Sequence, residues 1–456
     1  MKEFKRYYRE AYKHLLGNDA DLSRWYFNTA KGSPITADIY LRRLGGFCRW
    51  AKMTPHQYAI LPKRRMENLA FDFVQEMEAR TNPKSGKKYA PQYVQSNLKA
   101  IVSWARWNRK KFDITIRVSD ANKTPTLENE RVPTNDELRR VLYADTTSLR
   151  TRASIAIMAF AGCRPEVQGN YLGLDGLKLK DLPELQIEGK SATFTKVPTL
   201  VTIRAELSKA RHWYPTFMLD EGCEILKQYF ERRIAEGEAL APDSAVIVGT
   251  ETGRRNAANL GHRDASPFVR TTKITFTIRR AMRAAGLPWR PYVFRSYYDT
   301  MQMYAEGKGL ISHNYSQTFM GHSDIESVYS FKKSQLPQDL VENMREAYSR
   351  VAELLGTRKG AAVSKDEMLA TFNRRFLKMS NWTDEEVDAL GDLSGIEESK
   401  LQELLDKKSM RKLGLNGNSQ RVVPMSEVKK FIEEGWEYMS TLPSGEAIIR
   451  LPTAKP

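Results

Sequence analysis

The sequence predicts a mainly α-helical protein with a small antiparallel β-sheet in its second half. Three observations carry that reading. Apolar residues recur near a 3.6-residue period through residues 34–110 and again through 219–355. Residues 183–218 instead alternate with β-branched residues, the period of strands. Breaks at Met53-Thr54-Pro55, Gly162 and Gly321 divide the helical stretches. With 456 residues, 41% of them hydrophobic, the chain can bury two to four domain cores and is too apolar to be disordered.

Taken in order, residues 1–20 read as a basic N-terminal arm or short helix, and 21–111 as a small helical basic domain. In ITADIYLRRLGGFCRWAKM, Ile39, Leu41, Leu44, Phe47 and Trp50 fall on one helical face. A second helix is expected from about 64 to 80, followed by the basic turn TNPKSGKK. The next helix places Val94, Leu98, Ile101 and Trp104 on one side and gathers Arg106, Arg109, Lys110 and Lys111 at its end, where cations also suit the helix dipole. Residues 112–133, polar and containing Pro125 and Pro133, read as a linker. A domain over 134–355 opens at Thr134, with Glu137 three residues on as a capping box. A buried helix rich in Ala and Ile covers 149–161 and stops at Gly162. Further helices are expected at 219–236, 270–286, 291–306, 313–320 and 337–355. The last carries Leu340, Met344, Tyr348, Val351 and Leu355 as a stripe that needs its own core or a neighbouring subunit. Residues 356–456 form an appendix without assignable chemistry. Helices are expected there near 365–379, 384–390 and 397–407, then a turn-rich break and a β-hairpin around Pro443-Ser444-Gly445.

The net charge of +17 is uneven. Residues 1–124 hold 25 Lys/Arg against 11 Asp/Glu, a surplus of 14; residues 125–360 hold 33 against 28, and 361–456 hold 14 against 16. A surplus that local marks a polyanion, and double-stranded DNA is the expected partner. No apolar run is long enough for a membrane span, and the charged MKEFKRYYRE is no secretory signal. Three scattered cysteines argue for a reducing compartment, so a cytoplasmic, nucleoid-associated protein is expected.

The chemistry concentrates between Pro291 and Tyr329. Pro291 suits a first helical position, which puts Tyr292 and Arg295 three apart on one face. His322 follows Gly321, and Tyr329 comes seven residues later. Arginine holds a phosphodiester at any useful pH, histidine donates a hydrogen bond or proton, and tyrosine can form a covalent ester. Upstream, Arg164 stands in AGCRPE just past a buried helix, and Lys209 stands in the hairpin segment ELSKARHW. Each has an ordinary reading. Arg164 could pair with Glu166 and Arg295 with Asp299, Lys209 could be a plain hairpin lysine, and Tyr329 is one of 20 tyrosines. Their order is the signal.

That order resembles the tyrosine recombinases of the phage-integrase superfamily, and the wording ELSK, MGH and ESVY is most like integrases of archaeal and related mobile elements. The resemblance spans roughly residues 20–355. It implies a helical core-binding domain followed by a catalytic domain. It also implies that Arg164, Arg295 and His322 hold the scissile phosphate, Lys209 protonates the leaving 5′ oxygen, and Tyr329 attacks to leave a 3′-phosphotyrosine. Tyr292 stands where the family carries His; it cannot become a cation but can donate a hydrogen bond. Glu166 comes one place earlier than the family's usual acidic residue, and Tyr329 lies closer to His322, which makes Tyr315 and Tyr348 reserve nucleophiles. The implied activity is site-specific recombination by a homo-tetramer on DNA, with no cofactor or metal. A hairpin telomere resolvase and a non-catalytic DNA-binding protein are the alternatives.

Overall fold

The computed structural model describes residues 12–17, 19–82, 86–121, 130–249, 266–322, 336–358, 365–380, 382–396, 399–405, 420–433, 436–442 and 445–450. They are mainly helical, with small antiparallel sheets. The chain divides into two compact units, 1–299 with 317–360, and 300–316 with 361–456.

The first unit begins with six helices: α1 (Lys13–Gly17), α2 (Ala20–Gly32), α3 (Pro34–Trp50), α4 (Pro55–Ile60), α5 (Lys63–Ala79) and α6 (Pro91–Trp107). They enclose a core that includes Trp25, Tyr26, Phe47, Tyr58 and Trp104. The polar tips of the core aromatics are satisfied: Trp104 Nε1 donates to Pro55 O at 3.1 Å and Tyr58 OH to Met66 O at 3.0 Å. Both α2 and α4 open on side-chain caps. Asp19 accepts from the backbone N–H groups of Asp21 and Leu22. Thr54 and Gln57 form a capping box, so the break at Met53-Thr54-Pro55 is also a helix start. Residues 112–121 are less independent than a linker, because Phe112, Ile116 and Val118 pack on this core and Ser119 N donates to Glu78 Oε1 at 2.7 Å.

Next come α7 (Asn135–Tyr143), with the expected Thr134–Glu137 capping box, α8 (Leu149–Ala159), buried over most of its length, and the short α9 (Pro165–Gln168). The β region is two separate two-stranded antiparallel ladders rather than one sheet. Strand β1 (Leu185–Glu188) pairs with β2 (Ser191–Phe194), and β3 (Thr199–Ile203) with β4 (Tyr214–Met218), Val201 facing Thr216. The second ladder belongs to the core: β4 is buried throughout and β3 alternates. Helices α10 (Asp220–Ala235), α11 (Thr271–Ala284), α12 (Val293–Gly307), α13 (His313–Phe319) and α14 (Gln338–Leu355) follow, of which α12 from residue 300 and α13 up to residue 316 belong to the second unit. The stripe on α14 meets its own unit: Met344, Tyr348, Val351 and Leu355 are buried, and Tyr348 OH donates to Phe160 O.

In the second unit, α15 (Lys365–Met379), α16 (Asp384–Asp388) and a helical stretch at 399–405 gather around Leu377, Val387 and Leu393. Strand β5 (Gln420–Pro424), helix α17 (Val428–Glu433) and the expected pair β6 (Glu437–Thr441) and β7 (Glu446–Arg450) complete it. The sheet order is β5-β7-β6, around Val423, Trp436, Ala447 and Ile449. No helix of the described residues is long and apolar enough to cross a membrane.

Candidate functional site

Arg295, on the first turn of α12, is only 5% exposed. Its guanidinium donates to two backbone carbonyls, Gly162 O and, at 2.7 Å, Met320 O. Gly162 stands two residues before Arg164, and Met320 two before His322. One buried side chain therefore joins the two loops that carry Arg164 and His322. Both loops turn through left-handed glycines, Gly162 at φ 65° and Gly321 at φ 61°. A Cβ at Gly162 would stand 2.5 Å from the Tyr298 ring, and one at Gly321 2.4 Å from the Tyr214 ring. Only glycine lets the backbone turn this tightly against those rings.

Among the described residues no carboxylate balances the charge at this point. Three arginines are buried among the described residues: Arg233, Arg295 and Arg345. Arg233 pairs with Glu238 at 2.7 Å and Arg345 with Glu184, but Arg295 has carbonyls only. The ordinary alternative, a couple with Asp299, is not how its guanidinium is held. Arg164 is half-buried at the N-terminus of α9; its guanidinium makes no hydrogen bond or ion pair among the described residues, and the alternative pairing with Glu166 is absent. Burial, and then the like charge of Arg164, pull the Arg295 pKa below its usual value. An arginine still remains charged under such a shift.

Tyr292 is 44% exposed, and its hydroxyl donates to Glu166 Oε2 at 3.3 Å. Burial and then the Glu166 charge raise its pKa to about 12, against the opposite pull of Arg164 and Arg295. The hydrogen-bond donor expected for a phosphate is thus already engaged. Tyr214, which opens β4, is a residue that sequence reasoning missed. Its buried hydroxyl lies near the Arg295 guanidinium but outside hydrogen-bond geometry. The sequence signal was weak, one aromatic five residues past the hairpin lysine.

His322 is half-buried, with Nδ1 2.7 Å from Gln317 Oε1. A carboxamide oxygen only accepts, so Nδ1 carries a proton. Lys209 lies exposed in the loop between β3 and β4, ahead of His212, whose ring is 6.2 Å from that of Tyr214. The structure thus brings Arg164, Tyr292 and Arg295 together and ties in His322 through Met320, while Lys209 lies on the loop leading into Tyr214. Tyr329 lies outside the described residues. Of the reserve tyrosines, Tyr348 is wholly buried core and Tyr315 is half-buried on α13.

No protein-family model matches this chain, and no curated protein matches it. Among solved structures it is similar to XerA recombinase, at 17% identity and a TM-score of 0.30 over 71% of this chain and 96% of that one. It is similar also to an integrase from mycobacterium phage Brujita, at 15% and 0.33 over 77% and 96%. A third is XerH site-specific recombinase bound to difH substrate in a pre-cleavage complex, at 14% and 0.34 over 69% and 77%.

Proposed function

We propose that this protein is a site-specific DNA recombinase of the integrase kind, which cuts and rejoins strands through a 3′-phosphotyrosine at Tyr329. The observation that carries the reading is Arg295: a buried cation that, like Arg164 beside it, has no carboxylate partner among the described residues. A buried charge left unpaired is costly, and an anionic ligand would complete it. A scissile phosphate is such an anion, and its charge grows on attack. Arg164, Arg295 and His322 hold its non-bridging oxygens; by analogy with other preorganised donors, losing one such contact costs about 3 kcal/mol of barrier. Lys209 gives its proton to the leaving 5′ oxygen. The bond energy stays in the ester, so a second strand's hydroxyl reverses the step. The partner is double-stranded DNA, gripped by the basic helical domain over 21–111 and the domain over 134–355, in a homo-tetramer acting on two sites.

The test is covalent trapping on a nicked suicide duplex. Wild type should form an adduct, and Tyr329→Phe should bind the duplex yet form none. An adduct persisting in Tyr329→Phe would move the nucleophile to Tyr315. No adduct from wild type would leave a DNA-binding protein without this chemistry.

A further inference from the structure

The six-helix core and the part of the same unit that carries Arg164 meet at a carboxylate. Asp38, on α3, is only 5% exposed, and two phenols donate to it. Tyr26, buried on α2, reaches Oδ1 at 2.7 Å, and Tyr171, three residues past α9, reaches Oδ2 at 2.6 Å. The Tyr26 bond is internal to the core; the Tyr171 bond leaves it. Both ends of that second bond are held in place. On the core side, α3 and the Tyr26 bond fix the carboxylate. On the other side, Asn170 Oδ1 accepts from the N–H groups of Leu172 and Leu174 at 3.1 and 3.0 Å, and Asn170 O accepts from Thr271 N at 3.2 Å. Thr271 Oγ1 donates to Gly169 O at 2.7 Å. A Cβ at Gly169 would stand 1.9 Å from Val269 O, so backbone packs on backbone there. One step further back, Gln168 Nε2 donates to Ser154 O at 2.9 Å, and Val167 N to Arg164 O at 3.0 Å. A continuous braced span therefore runs from Asp38 through Tyr171 and α9 to Arg164.

We propose that Asp38 and Tyr171 are positioning residues, which set the six-helix core against α9 so that a duplex gripped by the core presents its phosphate in register with Arg164. This rests on the recombinase reading above, in which the two parts grip one duplex. The basic surplus of the first quarter of the chain governs how tightly the core holds DNA. It does not decide where along the duplex a phosphate meets Arg164. The Tyr171 bond does, because α9 and its loop fix Tyr171 to Arg164 while α3 fixes Asp38 to the core. The register matters: a misplacement of about 1 Å can cost roughly 10²-fold in rate. A hydrogen bond to a charged group shifts an equilibrium by roughly 10- to 100-fold, enough to hold one placement of the core over others.

The experiment uses the full chain and reads placement and rate separately. Nitroxide labels at Gln75→Cys on α5 and Gln228→Cys on α10 report the distance between the two parts; both positions are exposed and the three native cysteines are buried. The otherwise unaltered protein should give a narrow distance distribution. Tyr171→Phe keeps the ring and loses the bond, and should broaden it. In single-turnover trapping on the nicked suicide duplex at saturating protein, Tyr171→Phe should be slower by roughly tenfold or more. The salt slope of its duplex binding should stay at the wild-type value, since no cation is removed. Asp38→Asn, whose amide oxygen can still accept from Tyr26, should behave alike, and the double variant should be no slower than the slower single. A wild-type distance distribution or a wild-type trapping rate in Tyr171→Phe would overturn the proposal. So would faster trapping, which would make the bond a clasp that holds the site shut. If wild type traps DNA while any of these holds, the positioning role alone is wrong. If wild type forms no adduct, the recombinase reading fails and the role with it.

Discussion

Replacing Arg295 with Met tests whether one buried guanidinium closes both site loops. The substitution keeps length and removes the donors to Gly162 O and Met320 O. A buried acceptor left without its partner costs about 1–3 kcal/mol, so two cost about 2–6 kcal/mol. Against this, the protein no longer buries a cation beside Arg164, and exchanging buried charge for apolar volume can recover about 1–4 kcal/mol. The expected net loss is about 2 kcal/mol, felt locally. At about 1.4 kcal/mol per tenfold, that is about a 30-fold faster opening of the two loops. Hydrogen exchange reads it directly: the amides of Cys163 and His322, bonded to Ile157 O at 3.2 Å and Gln317 O at 3.1 Å, should lose protection together. Peptides from the middle of α8 should not change. Unaltered protection in either loop would refute the keystone role. Equal loss of protection in α8 would mean that the substitution acts on global stability instead.

Three further outcomes are expected. Burial raises the thiols of Cys48, Cys163 and Cys223 to about 12. The unfolded chain gives up these protons near pH 9 and the folded chain does not, so between about 9 and 12 each thiol withdraws about 1.4 kcal/mol of stability per pH unit as pH rises; a melting temperature that holds flat to pH 11 would contradict this. Gly321→Ala meets both a left-handed φ and the Tyr214 ring and should cost about 2–5 kcal/mol in thermal unfolding, whereas Gly286→Ala, at φ 82° with open space around it, should cost only about 1 kcal/mol. Lys52 (φ 53°) and Arg109 (φ 59°) occupy the left-handed positions that end α3 and α6, where glycine is usual, so glycine at either should stabilise by about 1 kcal/mol yet flatten the salt dependence of DNA binding by about one unit of slope; an unchanged slope would take these cations off the DNA.

The helices that sequence marked well are those whose burial is one-sided or complete, such as α8, α11 and α14, because an apolar period records which face meets the core. The period Leu22, Trp25, Tyr26 marks α2, whereas α4 is too short to show one. Asp19 and the Thr54–Gln57 box specify where they start, and Thr54-Pro55 reads as a break until its side-chain bonds are seen. Strand β5 was lost because QRVVP becomes a strand only through β7, more than twenty residues on. At the site, residue types and order were legible but their environments were not. Arg295 in VFRSYYD reads as an exposed helical residue one turn from Asp299. Its burial comes from two glycine turns more than a hundred and fifty residues apart in sequence, meeting at one guanidinium. Likewise, nothing local to Tyr292 says that its hydroxyl will find Glu166.

The choice of carbonyls over carboxylates at Arg295 decides what the site can do. Arg233 and Arg345 show the ordinary solution, a buried guanidinium neutralised by Glu238 or Glu184. Such a pair is satisfied and exerts little field beyond itself. Carbonyl dipoles meet the hydrogen-bonding requirement equally well but leave the full positive charge in place. At about 4 Å and an effective dielectric constant near 20, that charge attracts a phosphate oxygen by about 4 kcal/mol. A carboxylate in contact with Arg295 would cancel most of it.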